Sequence, residues 1–234
     1  MDKKLASFLL HLKKIGAVQI APLGEGFQFK HHEKEPDAPL APIKFHLCTP
    51  DLRPEGKLSP ADVAVLARFM VNEVFRRKIR FRGIAGLPNV GYPIAKAMAE
   101  YAYALGVHDV EILRLEKIVE GGKRFIGPIK NTGSLLPRDT VLVADDLVFA
   151  ATTKEEGIEQ VRVQFHAPYC IVFFDYDVGA REVLKKLNAE LLCVATIAQA
   201  LDIFRDNGEM TAEEDERCRA FLSFERNRRL QTAA

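Results

Sequence analysis

From residue 81 onward, short runs of apolar residues alternate with segments long enough to be helices. FRGIAG (81–86), VEILRLE (110–116), TVLVAD (140–145), YCIVFFD (169–175) and LLCVAT (191–196) read as strands. The stretches at about 91–105, 153–164, 178–187 and 197–207 read as helices between them, the last ended by Gly208. In the first of these helices Ile94, Ala97, Met98, Tyr101 and Leu105 form one apolar face, and Gly106 stops it. RFIGPI (124–129) reads as the returning arm of a hairpin. Strands that are apolar throughout must be covered on both faces, which predicts an α/β fold with a mainly parallel sheet flanked by helices.

The pattern before residue 81 is different. Residues 2–15 are amphipathic, and GFQFK (26–30) and IKFHL (43–47) read as short strands. The segment between those strands is polar and proline-rich, as surface loops are. A marked helix start follows: Ser59 suits the N-cap, Pro60 the first helical position and Asp62 the first turn. Val63, Leu66, Met70 and Val74 supply its buried face. Thr211 and Glu214 make a second capping pattern near the end. The last ten residues, with Arg226, Arg228 and Arg229, are expected to fray. The expected organisation is an N-terminal helix with short strands over 1–58, an α/β core over 59–210, and a C-terminal helix and tail over 211–234.

Composition narrows the function classes. With 48% hydrophobic and 28% charged residues the chain is an ordinary globular one. A net charge of +1 gives no reason to expect a nucleic-acid polymer as partner. No apolar run reaches membrane-spanning length, and the N-terminus lacks a convincing cleavage site, so a cytoplasmic location is the default expectation. Cys48, Cys170, Cys193 and Cys218 are scattered, with no paired spacing that would suggest zinc or a disulfide framework.

The most informative stretch is VLVADDLVFAATTKEEGI (141–158). An apolar strand leads into Asp145 and Asp146, then a loop of small and hydroxyl residues, then a helix start. The unpaired N–H groups at that helix start, with the hydroxyls of Thr152 and Thr153, suit a phosphate. Two carboxylates beside it suit sugar hydroxyls or a magnesium ion, which favours oxygen ligands. The plainer alternative is that the acidic pair only ends a strand and caps a turn.

This segment resembles the 5-phosphoribosyl 1-diphosphate (PRPP) signature of type I phosphoribosyltransferases: four apolar residues, two acidic, two apolar, then a Thr/Gly-rich loop. More narrowly the chain resembles orotate phosphoribosyltransferase. The resemblance is carried by GFQFK, by APIKFHL with TPDLR (49–53), by GIAGLPNVGYPIAKAMA (83–99) and by FFDYDVGAREVLKKLNAELLCVATIAQAL (173–201). It implies transfer of a phosphoribosyl group between PRPP and a nitrogenous base, with magnesium as cofactor, a place in pyrimidine nucleotide metabolism and a homodimer. On that resemblance Asp145 and Asp146 hold the ribose and magnesium; Ala150, Ala151, Thr152, Thr153 and Lys154 hold the 5′-phosphate; and Gly86, Asn89 and Gly91 lie by the pyrophosphate. Arg114 and Lys117 belong to a hood hairpin over that pyrophosphate, and Lys30, Phe149 and Tyr176 lie on the base side.

The chain departs from that pattern at defined places. Phe149 and Ala151 stand where Thr and Gly are usual. In the hairpin Leu115, Ile118 and Glu120 stand where Lys, Lys and His are expected, and Tyr176 replaces an Arg. Two readings of each motif are open. Gly86 and Gly91 serve a phosphate loop or only tight packing; Lys30 is a ligand or a solvated lysine. Phe149 and Tyr176 stack on a base or plug a pocket; Arg114 and Lys117 are catalytic or a charged hairpin face. The whole is either an enzyme or a binder of PRPP or a nucleotide that kept the fold without the hood chemistry.

Overall fold

The computed structural model describes residues 2–29, 32 and 37–233 of the chain. These divide into two compact units, one of residues 1–58 with 196–234, the other of 59–195. Among the described residues no helix is long and apolar enough to cross a membrane.

The first unit opens with α1 (Lys3–Lys14), whose N-cap Asp2 accepts a hydrogen bond from the Lys4 N–H and which buries Leu5, Phe8, Leu9 and Leu12. Strands β1 (Val18–Ile20) and β2 (Ile43–Phe45) pair antiparallel. The strand expected over 26–30 is instead one bridge, Phe27 to Ala41. Pro39 and Pro42 flank Leu40 and Ala41 and lack the N–H groups that would continue a ladder.

The unit is completed by α6 (Ile197–Asp206) and α7 (Ala212–Ala233). The chain end does not fray as expected: α7 runs to Ala233. There the buried Glu225 carboxylate accepts from Arg228 at 2.8 Å and Arg229 at 3.2 Å, tying the last turns to one point.

The second unit contains α2 (Pro60–Arg76), which begins with the expected cap in full: Ser59 and Asp62 exchange side-chain-to-backbone bonds at its start. Then follow β3 (Gly83–Gly86), α3 (Gly91–Ala104), β4 (Glu111–Glu120), β5 (Lys123–Ile129), β6 (Thr140–Val148), α4 (Thr152–Arg162), β7 (His166–Asp175), α5 (Ala180–Lys186) and β8 (Glu190–Thr196). The strands form one sheet in the order β5-β4-β3-β6-β7-β8. Strand β3 is parallel to both β4 and β6, and β6 is parallel to β7. Hairpin β4–β5 is antiparallel and turns at Gly121 and Gly122, both with positive φ, as a two-residue hairpin turn requires.

Two sequence expectations shift. The buried face of α3 runs through Ile94, Ala95, Met98, Ala99 and Ala102, while Leu105 is exposed beyond its last turn. Strand β6 does not end at Asp145. It continues to Val148 because β7 is long enough to keep pairing with it, Asp145 opposite Val172 and Val148 opposite Asp175. The acidic pair therefore lies within a rigid ladder, and the loop begins only at Phe149.

Candidate active site

The strand order reverses between β3 and β6. From β3 the chain passes through α3 to β4 on one side, and from β6 through α4 to β7 on the other. Ligand crevices of open α/β sheets form beyond the carboxyl ends of strands at such a switch. Gly86 at the end of β3, Arg114 within β4 and Ala144 one residue before Asp145 stand in register there.

Gly86 and Gly91 make the close approach possible. A Cβ on Gly86 would lie 2.4 Å from the Gly91 carbonyl oxygen and 2.5 Å from Tyr92 Cα. A Cβ on Gly91 would lie 2.4 Å from the Ala144 carbonyl oxygen and 3.2 Å from Asp145 Oδ1. Packing of α3 against the sheet thus accounts for both glycines and places the start of α3 directly against Asp145. Asn89, in the loop between them, is exposed.

Val141 and Val143 pack in one core with Ile158, Val161, Cys170 and Val172. Asp145, two residues further along the strand, extends toward the first turn of α4. Its Oδ2 receives the Lys154 ammonium at 2.6 Å, and the two side chains are buried, the residues only 8% and 6% exposed. Burial works against the charge on Lys154, but the attraction of Asp145 and then Asp146 outweighs it and raises its pKa. Asp146 is half-buried, and its Oδ1 accepts from the Leu147 N–H at 2.8 Å. Burial first, and the Asp145 charge second, push its carboxyl up to about 7. The Cys170 thiol below is pushed up to about 12, chiefly by burial, so it is an inert core group.

The loop expected to hold a phosphate starts α4. Ala151 precedes the helix with no side-chain cap, Ala150 is half-buried, and Thr152 and Thr153 are exposed in the first turn. The first N–H groups of a helix have no intrahelical partner, so this end presents donors and hydroxyls to solvent. Lys154, by contrast, turns inward.

Around this centre the other candidate side chains are distributed unevenly. The Arg114 guanidinium stacks over the Tyr92 ring, 5.4 Å from its centroid, at the start of α3. Lys117 lies three residues further out on β4, roughly 10 Å along the strand, opposite Ile126 of β5, and is exposed. Phe149 and Tyr176 meet edge to face at 5.0 Å between centroids, and Tyr176 is buried. Asp175 is buried beside Arg181 at 2.9 Å, and burial raises its pKa against the pull of the Asp177 N–H and Arg181. Lys30 lies outside the described residues.

The Lys154–Asp145 pair is what the sequence reading missed. The signal was present: Lys154 occupies the buried stripe of α4 with Ile158 and Val161, three to four residues apart, and a cation on such a stripe needs a buried partner. The same pair bears on magnesium. One oxygen of Asp145 holds an ammonium, and the other faces the narrow space left by the missing Cβ of Gly91. The residues present therefore do not fit a magnesium ion resident on Asp145. Among the described residues no group of three or more His, Cys, Asp or Glu side chains could hold a metal ion.

Comparison with known proteins bears on the fold. No family model matches the chain. It is 26% identical over 187 residues to bovine uridine 5′-monophosphate synthase, across 77% of this chain and 36% of that protein. Among solved structures, Leishmania donovani UMP synthase superposes with a TM-score of 0.70 at 25% identity, covering 93% of this chain and 42% of that one. Orotate phosphoribosyltransferase from Francisella tularensis superposes at 0.66 with 13% identity, covering 94% and 96%. The chain therefore spans well under half the length of the two synthases. Its fold is that of type I phosphoribosyltransferases, as the PRPP-like signature implied.

Proposed function

We propose that the chain binds PRPP at the carboxyl ends of β3 and β6 and transfers its phosphoribosyl group to a nitrogenous base, as an orotate phosphoribosyltransferase-like enzyme. One observation carries this reading. The acidic pair, the open start of α4 and the close-packed start of α3 converge at the switch point of a sheet with this fold. In it the α4 N–H groups and the Thr152 and Thr153 hydroxyls receive the 5′-phosphate. Asp146, the half-buried member of the pair, accepts from the ribose hydroxyls, and Asp145, held by Lys154, keeps the pair in place. Arg114, held over Tyr92, neutralises the pyrophosphate as negative charge develops on the leaving oxygen. No covalent nucleophile is needed; positioning and charge supply the rate. On this reading orotate is the first base to try, the setting is pyrimidine nucleotide synthesis in the cytoplasm, and the assembly is a homodimer.

A second reading has its own support. Tyr176 is buried and meets Phe149 edge to face, so its ring is not open for stacking on a base, and Lys117 stands far out on the hairpin. Both suit a protein that binds PRPP or a nucleotide without turning it over.

Calorimetric titration of PRPP with magnesium in the buffer separates these from failure of both. Binding of about micromolar strength, roughly 8 kcal/mol, lost in Asp145→Asn/Asp146→Asn, is expected. Formation of a nucleotide from orotate or another base then distinguishes enzyme from binder. No binding at millimolar PRPP would sink the phosphoribosyl reading.

A further inference from the structure

The acidic pair carries its own cation. Lys154 Nζ lies 2.6 Å from Asp145 Oδ2, with both side chains buried. The ammonium is held there by the helix that bears it. The Lys154 N–H donates to the Ala151 carbonyl at 2.7 Å, fixing the first turn of α4, and Gly157, Ile158 and Val161 are buried on the same side. The second oxygen of Asp145 faces the space left by the missing Cβ of Gly91, only 3.2 Å from where that atom would stand at the start of α3. A hydrated divalent ion approaching Asp145 would meet an ammonium on one oxygen and helix backbone by the other. Two positive centres a few ångströms apart in a poorly hydrated interior repel strongly.

We propose that Lys154 is the resident cation of this site, filling the place beside Asp145 that a divalent ion would take, so that an anionic phosphosugar is held with no metal on Asp145. The inference rests on the phosphoribosyl reading for its ligand; the charge arrangement stands without it. A lysine suits this role because its ammonium is a compact point charge with three donors, of which the contact with Asp145 uses one. The consequence is a site that recognises the phosphosugar itself and not its metal chelate.

The first arm of the test uses the metal alone. Mn²⁺ is titrated into wild type, Asp145→Asn, Lys154→Met and Lys154→Met/Asp145→Asn, with bound ion read by electron paramagnetic resonance and folding checked by circular dichroism. Wild type is expected to hold no ion that depends on Asp145. Lys154→Met should gain affinity by at least about tenfold, because a like charge beside the carboxylate is gone, and the second substitution should abolish the gain. An ion on wild type that Asp145→Asn removes, or a folded Lys154→Met with no gain, overturns the inference. If Lys154→Met does not fold, Lys154→Gln, which keeps a long stem and a polar head, replaces it; the wild-type comparison depends on neither.

The second arm titrates PRPP into wild type with magnesium and with chelator. Affinities within about tenfold of each other are expected, whereas binding that requires the ion overturns the inference. PRPP that fails to bind under either condition would defeat the phosphoribosyl reading alone, and the Mn²⁺ arm then decides the charge arrangement by itself.

Discussion

Replacing Gly86 by alanine tests how the crevice is built. The new Cβ would lie 2.4 Å from the Gly91 oxygen, 2.5 Å from Tyr92 Cα and 2.6 Å from the Gly91 carbonyl carbon. All three are backbone atoms, so no rotamer change relieves the contact; α3 must move off the strand. Overpacking costs about 1–3 kcal/mol, and a purely backbone clash puts Gly86→Ala near the top, about 3 kcal/mol. At 2–4 °C per kcal/mol for a chain of this size, Tm should fall by roughly 6–12 °C. Gly157→Ala is the control. Its Cβ would meet Leu87 Cδ2 at 2.3 Å, but that atom ends a flexible side chain, and alanine in a helix interior recovers about 1 kcal/mol. Its net loss should be about 1 kcal/mol. Urea unfolding followed by circular dichroism measures both as midpoint shifts. A Gly86→Ala protein within about 1 kcal/mol of wild type, or a Gly157→Ala protein that loses more, would refute the close-approach argument.

Ser59→Ala removes the capping box of α2 and should cost about 1 kcal/mol in the same urea assay; a neutral result would mean the helix is held by packing alone. Asp146 titrates near 7 when folded and near 4 when unfolded, so between those values the native state keeps a proton that the unfolded chain has lost. Stability should therefore fall as pH rises from about 4 to about 7 and level off above. Asp146→Asn should lack this slope and exceed wild type in stability above pH 7; an unchanged slope would reject the assignment. Glu225→Ala leaves Arg228 and Arg229 without their shared carboxylate, but each is about a quarter exposed and can reach water. The expected loss is about 1–3 kcal/mol, with earlier cleavage in α7 on limited proteolysis; a cleavage pattern like wild type would contradict it.

The elements of the second unit were legible because each has a local cause. The apolar runs at 141–145 and 169–175 cannot face water on either side, and Ser59-Pro60 with Asp62 marks a helix start that needs no tertiary help. What was lost depends on partners distant in sequence. The length of β6 is set by β7, so the strand runs three residues past the point where its apolar pattern stops. The bridge at Phe27 is limited by prolines in its partner, and α7 holds its end through the buried Glu225 carboxylate. At the site, the structure brings Gly86 and Gly91, two residues singled out by type, close to Asp145. Residue type did not reveal that the Lys154 chain turns inward while Thr152 and Thr153 stay outside.

That inward turn changes what the hairpin substitutions mean. Of the three hairpin departures only Glu120 is exposed, where a cation would act through water and be screened by salt within about 8–10 Å; Ile118 is half-buried and Leu115 packs in the core. Lys154 places a cation in the buried layer beside Asp145, where the same charge is screened far less. A fixed cation next to the sugar attracts bound ligand and transition state nearly alike, which strengthens binding more than it speeds bond breaking. On the proposed reading, charge that develops on a departing pyrophosphate has to be met elsewhere, and Arg114, over Tyr92 and in register with the end of β3, is placed for it. On the proposed reading, the buried Lys154 therefore favours holding a phosphosugar, and Arg114 at the rim is left to meet the charge of the leaving group.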